Sequence, residues 1–106
     1  MERNFTRRPT SPGEILRYDD MEPLELTGIA LAERLGVSRK HISGILNGHT
    51  RVTVDIALRL SRAFSTTPEL WLNLQRNLDL WNARQSPEDW ATIEPFPFEE
   101  QAVNAV

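Results

Sequence analysis

Cysteine is absent from the 106 residues, which excludes disulfides, iron–sulfur clusters and thiolate metal sites and fits a reducing, cytoplasmic setting. No apolar stretch approaches the roughly 20 residues that a membrane-crossing helix needs, so no membrane association is expected. The first twenty residues hold no apolar run, so no secretory leader is expected either. Strand signals are missing, because nowhere do apolar and polar residues alternate over a convincing length. A surplus of positive charge is also lacking: the net charge is -3. Its distribution says more than its sum. Residues 1–62 carry two positive charges in excess and residues 63–106 five negative ones, while Arg34, Arg39, Lys40 and Arg51 meet no acid between positions 34 and 51. One basic segment is thus joined to an acidic C-terminal part, which weakens non-specific nucleic-acid binding without forbidding a local basic face.

What is present is helical punctuation. Residues 1–10, with Arg7 and Arg8, have no period and read as a flexible arm. Ser11-Pro12-Gly13-Glu14 is a capping box with proline at the first helical position. It opens a helix that turns Ile15 and Leu16 inward and ends at Glu22-Pro23. Thr27 caps a second helix whose apolar face is Ile29, Leu31, Ala32 and Leu35 and whose stop is Gly36. Ser38 caps a third, with Ile42, Ile45 and Leu46 inward and Asn47-Gly48 at its end. Thr53 caps a fourth that buries Ile56, Ala57, Leu60, Ala63 and Phe64. Thr67-Pro68-Glu69 opens a longer fifth helix running to about Arg84, and Ser86-Pro87-Glu88-Asp89 starts a short sixth around Trp90. Residues 11–66 therefore form one domain, residues 67–94 a C-terminal helical part, and residues 95–106 a tail.

The second and third helices meet through Leu35-Gly36-Val37-Ser38, a turn of the length used in a helix-turn-helix. That motif, spanning 27–48, needs a small residue where the helices touch (Ala32), a turn residue that tolerates positive φ (Gly36), and apolar locks on the second member (Val37, Ile42, Ile45). The opposite face of the third helix is left for DNA. Arg39, Lys40, Ser43, Gly44 and Asn47 lie on it by the helical period. Arginine pairs bidentately with guanine, and serine reaches base edges or phosphate. The N-terminal end of this helix is expected in the major groove, which favours Ser38 and Arg39 as base readers. Gly44 is expected to let the backbone approach the groove wall. His49, Thr50 and Arg51 form a polar loop suited to phosphates. His41 and His49 lack a third ligand at metal-binding spacing. No nucleophile–base pair stands out, so neither enzymatic activity nor a cofactor is expected.

In the fifth helix Trp71, Leu74, Leu78 and Trp81 form an a/d-like stripe, which Leu70, Leu72 and Leu80 widen. One stripe can pack on the domain's own core. The surplus points to a partner surface, so Leu70, Trp71, Leu74, Leu78 and Trp81 are expected at a dimer or partner interface, with a two-fold homodimer preferred.

The run from Ser11 to Leu16, Leu31-Ala32 to Arg39, Ile42-Ser43, Asn47-Gly48, Thr53 to Leu60 and Pro68 to Gln75 resembles the HigA-type antitoxins of the Xre (Cro/C1-type) helix-turn-helix class, over about residues 11–82. The resemblance implies an all-α, five- to six-helix, lambda-repressor-like helix-turn-helix domain with a C-terminal helical extension. It implies binding to a palindromic double-stranded operator and to a cognate HigB-like, RelE-like ribonuclease toxin. By position, Ser38, Arg39, Lys40 and Ser43 would read the operator, and Asn47 and Arg51 would touch its backbone. The chain departs from relatives at Gly28-Ile29, where glutamine is common, and at His49, where lysine is common. The alternative is a stand-alone repressor of the same class without a toxin.

Overall fold

The computed structural model describes residues 7–97. Among them the fold is all-helical: α1 (Pro12–Ile15) continuing into a π-helical segment (Leu16–Met21), α2 (Gly28–Leu35), α3 (Arg39–Leu46), α4 (Val54–Phe64), α5 (Pro68–Gln85) and a 3₁₀ turn (Trp90–Thr92). None of these helices is long and apolar enough to cross a membrane. Residues 1–6 of the expected arm and 98–106 of the expected tail lie outside the described residues.

Five of the six helix starts read from the sequence are side-chain caps; the sixth, Ser86 to Asp89, is not, since the short 3₁₀ turn at Trp90 begins without a side-chain cap and Ser86 instead ends α5. Ser11 and Glu14 make the reciprocal capping box. Thr27, Ser38, Thr53 and Thr67 each accept an N–H three residues on. Each satisfies one of the donors a helix start leaves unpaired, which stabilises by about 1 kcal/mol where alanine would not. Gly36 ends α2 in the left-handed conformation, φ 75°, as the turn requires. A second device there was not legible: the Arg59 guanidinium of α4 donates to the Leu35 carbonyl at 2.7 Å and to Asp55 at 2.9 Å. A cation therefore sits at the negative end of α2.

Leu16, Leu31, Ala32, Leu35, Ile42, Ile45, Val52, Ile56, Ala57, Leu60 and Trp71 form one buried cluster, with Ile15, Val37, Leu46, Ala63 and Phe64 packed on it. Two expectations need correction. The first helix is not a uniform α-helix, because it widens to π from Leu16. Ile29 is half exposed; it lies about 110° round the helix from the centre of the arc formed by Leu31, Ala32 and Leu35. The backbones of α1 and α3 nearly touch. A Cβ on Gly13 would lie 2.2 Å from the Ile45 carbonyl oxygen and 3.0 Å from Leu46 Cα.

Candidate nucleic-acid interface

The reading helix is fixed from behind. Ile42 and Ile45 are 1–2% exposed, and Val37 in the turn packs on the same core. Their burial pins α3 against α2 and α1, which are its neighbours in the fold. The face turned away is polar and open. Arg39, Lys40, Ser43 and Asn47 are exposed. Among the described residues, neither Arg39 nor Lys40 makes an ion pair. Two cations at the start of a helix, without an acid to offset them, are unfavourable for the helix dipole. Asn47 donates to the Ser43 hydroxyl at 3.3 Å, so those two side chains already share one surface. The Ser38 hydroxyl accepts the His41 N–H at 3.0 Å and keeps its own proton free to donate. His41 itself is half-buried, and its Nε2 is enclosed without a partner among the described residues.

The loop after α3 differs from expectation at two places. Gly44 does not face an open groove. A Cβ there would lie 2.2 Å from Thr50 Oγ1, and the Gly44 carbonyl accepts the N–H groups of His49 and Thr50 at 2.7 and 3.1 Å. The glycine admits the chain's own loop rather than a DNA wall, and Thr50 is correspondingly half-buried over it. Arg51 is not a free phosphate ligand either. Its guanidinium donates to the Asp79 carboxylate of α5. That contact holds Asp79 below the usual carboxylate range and Arg51 above its ordinary value. Asp79 is held in turn by Gln75, which donates to it at 3.0 Å and accepts the buried Val52 N–H at 2.8 Å. Sequence reasoning missed Gln75 and the pairing of Asp79 with Arg51, because a contact across more than twenty residues leaves no local pattern. His49 is exposed, as expected.

The stripe on α5 also divides differently. Trp71 is fully buried and donates its indole N–H to Thr66 Oγ1 at 2.9 Å. Leu78 is buried and Leu74 packs on the core. These three pack against the chain's own interior, Leu74 only in part. Leu70 and Leu80 are 38% and 44% exposed, and Trp81 is half-buried. Leu80 and Trp81 line a shallow groove with Arg7, Pro9, Asn77, Arg84 and Gln85.

Known proteins share this fold. Residues 19–71 match the helix-turn-helix family HTH_3. An uncharacterized HTH-type transcriptional regulator of Haemophilus influenzae is 49% identical over 78 residues, 74% of this chain and 73% of that protein. Antitoxin HigA-1 of Vibrio cholerae is 42% identical over 89 residues, 84% of each chain. Among solved structures, the Pseudomonas aeruginosa antitoxin HigA with the higBA promoter superposes with a TM-score of 0.77 at 33% identity, covering 86% of this chain and 99% of that one. The chain belongs to the Xre-type helix-turn-helix family, in the group that holds the HigA antitoxins.

Proposed function

We propose that this chain is the antitoxin of a toxin–antitoxin pair, which represses its own operon by binding a palindromic operator as a homodimer and neutralises a RelE-like ribonuclease. The observation that carries the DNA half is the cationic face of α3, Arg39 and Lys40 beside Ser43, without an ion pair among the described residues, on a helix whose other side is locked into the core. Two such helices, one from each protomer, would enter successive major grooves roughly 34 Å apart. The exposed Leu70 and Leu80 on α5 supply the apolar surface for pairing. A relative solved with its promoter, and an antitoxin 42% identical to this chain, support the same reading.

Arg39→Ala tests it. Loss of one bidentate base contact costs about 1–3 kcal/mol, a roughly 5- to 150-fold weaker operator complex, with preference relaxed at one base pair. Binding to random DNA of the same length should fall much less. Equal losses on both duplexes would remove Arg39 from the base-reading set.

The toxin half rests on charge. Glu69, Glu88 and Asp89 are exposed on the acidic C-terminal part and suit a basic, RNA-cleaving partner. Asp79, spoken for by Arg51, does not belong with them. Reversing these three charges should weaken toxin capture at low salt and remove its attractive salt dependence; capture of unchanged strength would rule this surface out. A stand-alone repressor is the second reading, favoured by the 49% identical relative named only as a regulator. Co-purification with the product of the adjacent reading frame separates the two.

A further inference from the structure

Residues 51 and 52 are gripped by two side chains one turn apart on α5. Gln75 is buried; its Oε1 accepts the Val52 N–H at 2.8 Å, and its Nε2 donates to Asp79 Oδ1 at 3.0 Å. The other Asp79 oxygen accepts from Arg51. The cations near the reading helix are therefore of two kinds. Arg39 and Lys40 are unpaired among the described residues, and Arg51 is neutralised by a carboxylate. The distinction matters on DNA, because each cation that settles on a phosphate releases counterions and adds attraction that is blind to sequence. An arginine already on a carboxylate adds little of this, and the carboxylate itself repels the backbone. The pair is nonetheless exposed, 64% on the arginine and 38% on the aspartate, and exposed ion pairs are weak. A phosphate held in place by other contacts can displace it; one met in passing gains little by doing so.

We propose that Asp79 is a specificity-determining residue: it withholds Arg51 from the phosphates of non-cognate duplexes and yields it where the base contacts of α3 hold an operator in register. This rests on the DNA-binding reading above. Gln75 keeps the loop in place independently, since its bond to Val52 does not pass through Asp79. The carboxylate can therefore be removed without releasing the backbone.

The experiment is a fluorescence-anisotropy titration between about 50 and 200 mM salt. One duplex carries the DNA upstream of the chain's own gene, the other is random and of equal length. On the random duplex, Asp79→Asn should steepen the dependence of log K on log salt by about 0.9, one additional phosphate contact. That is an extra three- to fourfold change in affinity across the range, with tighter binding at the low-salt end. Asp79→Ser should do the same, and operator affinity should change less, so discrimination falls. Arg51→Ala should flatten the operator slope by about 0.9 and the random-duplex slope by much less. Unchanged or weaker random binding by both Asp79 variants overturns the inference, as does equal flattening of the two slopes by Arg51→Ala. Failure of the native chain to prefer its upstream DNA would instead overturn the operator-binding reading, and this inference with it.

Discussion

Replacing Trp71 by alanine is expected to lower the stability of a single protomer by about 3–5 kcal/mol, the range for emptying a buried aromatic site. The indole is wholly enclosed, and its N–H is bonded to Thr66. The substitution leaves a cavity in the main cluster and deprives Thr66 of its donor. A domain of this size is stable by only about 5–15 kcal/mol, so the loss takes a large share of the total. Urea denaturation followed at several protein concentrations measures it. Because Trp71 belongs to the chain's own interior, the fall in the midpoint should be the same at every concentration. A partner-facing tryptophan would behave otherwise: its removal would act through the dimer, and the deficit would depend on dilution. A concentration-dependent deficit would return Trp71 to the interface where its sequence spacing had placed it.

That difference shows what a single helix can and cannot reveal. The starts of α1 to α5 were legible because a cap is chemistry between residues three apart, and Ser11, Thr27, Ser38, Thr53 and Thr67 all act as read; Ser86 does not, because the turn at Trp90 starts without a side-chain cap. Gly36 was legible because the turn needs positive φ. The end of α4 carried no such mark. Its left-handed position is filled by Ser65, φ 56°, and only the following Thr67-Pro68 announced a boundary. Periodicity places residues on a face but does not say what covers it. On α5 it grouped Trp71 and Leu78, which are buried, with Trp81, which stays partly open. The cationic face of α3 was legible for the same local reason: its apolar side is occupied, so its polar side remains. The contents of the loop were not. Nothing near Arg51 in sequence announces Asp79, and nothing near Gly44 says that Thr50 will fold back over it.

Gly13→Ala is the sharpest test of how α3 is held. By general rules the change should help. Alanine is better than glycine in a helix by about 1 kcal/mol, and it narrows the unfolded ensemble. The structure reverses the sign. The new methyl would lie 2.2 Å from the Ile45 carbonyl oxygen and 3.0 Å from Leu46 Cα and carbonyl oxygen. All three atoms are backbone, so no side chain can swing aside, and α1 must part from α3. Overpacking of this kind costs about 3 kcal/mol at the upper end of its usual range, which lowers Tm by roughly 10–20 °C in a domain of this length. Gly28→Ala is the internal control. Its added methyl meets only Ile42 Cγ2, at 3.9 Å, and should leave Tm unchanged or slightly raised. A Gly13→Ala chain that melts no lower than the native one would mean that α1 and α3 are not in this contact. The reading helix would then lack one of the two supports that aim Arg39 and Lys40 outward.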